Sequence, residues 1–186
     1  MRLTATALLL GFILVASSGI AEAQVPTIGI YFDKDLTRTS LNCMGTGYLD
    51  TLYVGGKNFD TWVSTVEFRV NFGGTTMIPI SEHMVNGALS LGTGFGAGIT
   101  ITWPAPRNGF EPFIVEKILV MWQCDDCGAG KWDDAVSVLP HAGTGGITAI
   151  EWQTFKMLNA TGTPSIACGL VPIQETSWSR VKSLYQ

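Results

Sequence analysis

The stretch VSTVEFRVNF constrains this chain more than any other. Val66, Phe68, Val70 and Phe72 alternate with Thr65, Glu67, Arg69 and Asn71, the period of two that points one set into a core and the other into water. A helix would scatter those four apolar residues around its surface, so the segment predicts a half-buried strand. GITITW repeats the device with Ile99, Ile101 and Trp103 against Thr100 and Thr102, and Pro104 is expected to end it. FIVEKILVMW (113–122) is apolar on both parities, interrupted only by Glu116 and Lys117. It predicts a central strand covered on both sides at its far end.

Weaker strand patterns are TIGIYF (27–32), DTLYVGG (50–56), TMIPI (76–80), AVSVLP (135–140), GITAIEW (146–152), TFKMLN (154–159) and PSIAC (164–168). Gly-, Asn- and Pro-rich turns such as NFGGTT, GTGFGAG and NATGTP separate them. Many short strands without intervening helical patterns predict an all-β protein, an antiparallel sandwich of two sheets and about nine strands. One short helix is expected at the C-terminus, where Trp178, Val181 and Tyr185 of ETSWSRVKSLYQ fall on one face.

At the other end, MRLTATALLLGFILVASSGIAEAQ carries Arg2, an apolar run from about Ala5 to Ala16 and small residues leading into AEA. That is the pattern of a secretory signal peptide cut after Ala23. The apolar run is shorter than the roughly 20 residues of a spanning helix, so no membrane span is expected in the mature chain. The expected organisation is a signal peptide over 1–23, a sandwich domain over 24–172 and a helical tail over 173–186. Loss of Arg2 and Glu22 leaves the net charge of −4 unchanged. The basic residues are scattered singly, which argues against nucleic acid as a partner.

The segment TLYVGGKNFDTWVSTVEFRVNF resembles the early strands of cohesin-like and related immunoglobulin-like sandwich modules, and GITITWPAPRNGFEPFIVEKILVMW continues the likeness. The chain is also similar to a group of uncharacterised exported bacterial proteins that open on an IGIYFD-like strand and close on a WSRVKSLY-like tail. The resemblance implies a nine-stranded jelly-roll sandwich and, if it extends to activity, the docking of a partner module through one sheet face. It carries over no catalytic residue.

The four cysteines are Cys43, Cys124, Cys127 and Cys168, an even count that in an exported chain favours disulfides. Cys124 with Cys127 and Cys43 with Cys168 is the favoured pairing, with a crossed pairing left open. Asp125 and Asp126 lie between the sulfurs of C-x-x-C and oppose the thiolate that redox catalysis needs. A zinc ribbon would need a second such knuckle. Asp125, Asp126, Asp133 and Asp134 are the best group for calcium in a sandwich loop; no other cofactor is expected. For nucleophilic catalysis only His83 and His141 offer an imidazole base, and Ser81 and Glu82 beside His83 do not by adjacency form a triad; two acids facing a cleft could serve a glycosidase, but no spacing pairs them. Among six tryptophans, Trp103 and Trp122 continue core patterns, whereas Trp62 and Trp132 follow polar, turn-like residues and are the candidates for ligand contact. The expected function is therefore a non-catalytic secreted or cell-surface module that binds a protein or assembles there. Carbohydrate binding through Trp62 or Trp132, with or without hydrolysis, and self-assembly through exposed strand edges are the alternatives.

Overall fold

A computed structural model describes residues 24–41, 46–73, 77–123 and 135–167. Twelve strands run through them: β1 (Thr27–Tyr31), β2 (Ser40–Leu41), β3 (Leu49–Lys57), β4 (Trp62–Asn71), β5 (Met77–Met84), β6 (Leu89–Thr93), β7 (Gly98–Asn108), β8 (Phe113–Trp122), β9 (Ala135–Leu139), β10 (Thr148–Glu151), β11 (Met157–Asn159) and β12 (Thr161–Ala167). The excess over nine comes from short pieces, including β2 and the fully exposed β6, which alternation against a core cannot reveal. The expected signal peptide over 1–23 and tail over 173–186 lie outside the described residues, as do all four cysteines, Trp132 and the aspartates at 125, 126, 133 and 134.

Hydrogen bonding links the strands in the order β11-β10-β4-β9-β12-β1-β3-β8-β5, with β7 on β4 and β6 on β7. One layer is β5-β8-β3-β1-β12 and the other is β6-β7-β4-β10-β11. The short strand β9 pairs with the late residues of β4 on one side and with β12 on the other, so it joins the layers. Most ladders are antiparallel, but β1 pairs with β12 in parallel.

The alternation read in the sequence is what fills the space between the layers. Val66 and Phe68 of β4, with Ile99, Ile101 and Trp103 of β7, face Ile28 and Ile30 of β1, Leu52 and Val54 of β3, and Ile118, Val120 and Trp122 of β8 in one buried cluster. Trp103 meets the ring of Phe113 edge-on at 6.0 Å, and Phe113 meets Phe59 at 5.7 Å.

Two strands depart from the expectation. β7 does not stop at Pro104 but runs to Asn108. Its register on β4 jumps between Val63↔Arg107 and Thr65↔Thr102, so Pro104 and Pro106 sit in a bulge where no ladder N–H is required. β8 shifts register on β3 near Gly55, and there the adjacent residues Val115 and Glu116 are both fully buried. The bulge turns a glutamate inward.

Candidate functional site

The outer face of the second layer is built by cross-strand register. One row across it reads Leu89, Thr102, Thr65, Ile150 and Met157, each opposite the next. The adjoining row reads Leu91, Thr100, Glu67, Thr148 and Asn159. Side-chain bonds lock the middle of both rows. The Thr65 and Thr102 hydroxyls lie 3.2 Å apart, and Thr100 and Thr148 donate to the two carboxylate oxygens of Glu67 at 3.3 and 3.1 Å. Three of the four row ends are apolar and bare, Leu89 at 75% exposed, Leu91 at 77% and Met157 at 62%, and the fourth is Asn159. The face thus combines a polar, internally hydrogen-bonded centre with exposed aliphatic side chains at its flanks.

Trp62, the expected ligand contact that the described residues include, opens β4 and is half-exposed; its carbonyl accepts a hydrogen bond from the N–H of Trp152 at 2.8 Å. Trp152 is half-exposed as well, and Phe155, in the same β10–β11 turn, is largely exposed. Trp103 and Trp122 are buried, as their strand patterns predict. Trp152 and Phe155 were not singled out in the sequence, although the isolated EWQTF turn carries both.

Around His83 the chain separates what sequence places together. The Ser81 hydroxyl and His83 Nε2 are 3.1 Å apart on the exposed side of β5. Glu82 turns to the other side, where the N–H of Gly94 donates to its Oε1 at 2.6 Å. The acid therefore cannot orient the imidazole as a triad requires. His141 takes a hydrogen bond from the N–H of Gly143 in its own loop.

Glu82 has an inward neighbour. Its cross-strand partner is Ile118, and Glu116 stands two residues along β8 on the same face. Both carboxyls converge on Gly94: a Cβ there would lie 2.7 Å from Glu82 Oε1 and 3.6 Å from Glu116 Oε2, so a side chain at this position would have to displace the Glu82 carboxylate. Counted as a carboxylate, Glu116 has no donor for either oxygen. Burial, reinforced by the charge of Glu82 and by a hydrogen bond to it, pushes the Glu116 carboxyl up to about 8. Glu116 is thus a neutral acid at pH 7, donating its proton to Glu82. Burial also raises Glu82, against the opposing pull of the Gly94 N–H, the proton from Glu116 and the Phe95 N–H. Among the described residues, no group of three or more His, Cys, Asp or Glu side chains gathers as a metal site would require. The aspartates expected for calcium fall outside them.

Neither a family model nor a curated protein matches this sequence. Solved structures do match its shape. A cohesin module from a family 33 glycoside hydrolase of Clostridium perfringens superposes with a TM-score of 0.52 at 8% identity, covering 77% of this chain and 96% of the module. The fold is that of cohesin modules. CaCohA2 of Clostridium acetobutylicum gives a TM-score of 0.51 at 9% identity, over 78% of this chain and 90% of its own. A type I cohesin–dockerin complex of Clostridium thermocellum gives 0.50 at 9% identity, over 77% and 99%. At such identities the cohesin likeness is one of fold.

Proposed function

We propose that this chain is a non-catalytic protein-binding module, exported to the cell surface or beyond, that docks its partner on the face formed by β6, β7, β4, β10 and β11. The observation that carries the reading is the pair of registered rows, with bare leucines at one end and threonines locked around Glu67 at the centre. Cohesin modules of the same fold are found in complexes with dockerins, which supports a protein as the partner class here. Export rests on the leader-like residues 1–23.

The test is a double variant, Leu89→Asp with Leu91→Asp, used beside the parent chain to capture partners from the envelope and secreted fraction of the source cells. The partner seen with the parent should be lost with the variant by about 100-fold or more, the scale of truncating central apolar contacts. Thermal unfolding should be unchanged within about 0.5 kcal/mol, because both side chains are exposed. Equal capture by the double variant would overturn the proposal.

A second reading has its own observation, the half-exposed Trp62 and Trp152 held side by side by a backbone bond. Exposed indoles at one strand end suit stacking on sugar rings. A glycan array separates the readings: binding lost in Trp62→Ala and kept in the leucine variant assigns the surface to carbohydrate.

A further inference from the structure

The loop between β6 and β7 is fastened to both layers through one residue. The N–H of Gly94 donates to Glu82 Oε1 on β5 at 2.6 Å, and its carbonyl accepts from the N–H of Val70 on β4 at 2.7 Å. The N–H of Phe95 reaches the same Glu82 carboxylate, and the Phe95 ring stands edge-on to Phe72 at 5.4 Å. On either side Gly92 and Gly96 hold φ of 88° and 90°, a region that glycine enters and leaves at little cost. β6 has no buried residue and its ladder partner is β7 alone. The bonds of Gly94 therefore fix the end of β6 that its own packing does not.

The bond to Glu82 depends on a proton. Glu116 is fully buried, its cross-strand partners are Val54 on β3 and Met84 on β5, and as a carboxylate it has no donor for either oxygen. The charge acting on it is that of Glu82. No cation reaches the pair from the strands around it: Lys117 and His83 lie opposite each other on the outer side, with Lys117 over the Tyr53 ring, and Arg69 of β4 has the outward parity of Glu67. While Glu116 keeps its proton it donates to Glu82, and Glu82 stays turned inward to hold Gly94. Once hydroxide takes that proton, two carboxylates face each other without a counter-charge, and the repulsion is relieved when one of them leaves. Glu82 is the one free to go, because it is half-buried on the edge strand β5 whereas Glu116 is sealed between the layers.

We propose that Glu82 and Glu116 form a proton-held latch on the β6–β7 loop: loss of the shared proton swings Glu82 to solvent, frees the Gly94 N–H, and releases the β6 edge of the outer face with Leu89 and Leu91. Partner binding is then strong while the latch is closed and weakens as it opens. That consequence rests on the docking role proposed above; the latch itself does not.

The test is NMR of the full chain from pH 6.5 to pH 9.5, read on the Leu89 and Leu91 methyls, the Phe95 ring and the Cα–H groups of the loop glycines, none of which exchanges with water at high pH. These signals should move together in one step with its midpoint at about 8. In Glu116→Gln the side-chain amide replaces the acid proton as donor to Glu82, and the signals should keep their low-pH positions throughout. In Glu82→Gln no like-charged pair forms and the glutamine oxygen still accepts from Gly94, so the latch should again stay shut. Gly94→Ala places a Cβ 2.7 Å from Glu82 Oε1, and should give at pH 6.5 the positions that the parent reaches at pH 9.5. No partner enters the experiment, so its failure leaves the leucine test of docking untouched, and failure of docking leaves the latch. His141, which lies against Gly98 at the far end of the loop, is present in every variant; a step that survives in Glu116→Gln would belong to it and overturn the proposal. Signals that stay still in the parent, or a full step retained in Glu82→Gln, would overturn it equally.

Discussion

Replacing Glu116 by Gln tests the inward-facing acid pair most directly. The native side chain is fully buried and its carboxyl stands at about 8 against an ordinary 4.5. Across that interval the folded chain keeps a proton that the unfolded chain has released, so folding stability falls as pH rises. The contribution is complete below 4.5, drains away up to about 8 and is level above. At about 1.4 kcal/mol per pH unit the full interval is worth about 5 kcal/mol. Half-buried Glu82 admits some water to the pair, which brings the expected loss to about 3 kcal/mol. Glutamine fills the same space and never ionises. Urea unfolding of parent and Glu116→Gln at fixed ionic strength from pH 5 to pH 9 should give a falling curve for the parent and a much flatter one for the variant. The curves should cross, with the variant the more stable at pH 9. Asp33 and Glu151 do not confuse the window. Burial alone would raise Asp33, but hydrogen bonds from Thr37 and Arg38 hold it low, and hydrogen bonds from Thr154 and Thr61 hold Glu151 low, so both act in the acid range. Parallel curves, or parent stability that rises from pH 5 to pH 8, would refute the reasoning.

Two further perturbations probe the scaffold. A Cβ at Gly162 would stand 2.1 Å from the carbonyl oxygen of Val138 on neighbouring β9, so Gly162→Ala should destabilise by about 2–3 kcal/mol, the scale of overpacking; a shift below about 0.5 kcal/mol in chemical denaturation would show that the strands can part freely. Trp103→Ala removes the indole that meets Phe113 and is 2% exposed, and should cost about 3–5 kcal/mol, read as a lowered denaturation midpoint.

How far the sequence exposed this structure depended on whether the information was local. Val66, Phe68 and Val70 announce β4 because their neighbours in the chain are their opposites in polarity, and the same holds for Ile99, Ile101 and Trp103. Pro104 misled because its missing N–H matters only where a ladder bond is due, and the bulge opposite Ser64 removes that need. Glu116 looked like an interruption in an apolar strand. That it faces the core follows from a bulge against β3, a property of two strands about sixty positions apart. The rows flanked by Leu89 and Leu91 were equally hidden, because β6 has no buried residue and reveals its facing only through its pairing with β7. Trp62 stands out in the sequence as a candidate for ligand contact because it follows polar, turn-like residues, but its half-exposure and its companion Trp152 come from a backbone bond between strand ends that no spacing encodes.

The parallel pairing of β1 with β12 governs how the chain reaches this state. Thr27 to Gly29 align with Thr161 to Thr163, and Ser165 donates its hydroxyl to the carbonyl of Ile30 across the whole domain. During synthesis β1 therefore waits, one edge bare, until more than a hundred further residues have emerged. Closure of so long a loop comes late and slowly. A product arrested before β12 would carry an open strand edge ready to join another copy.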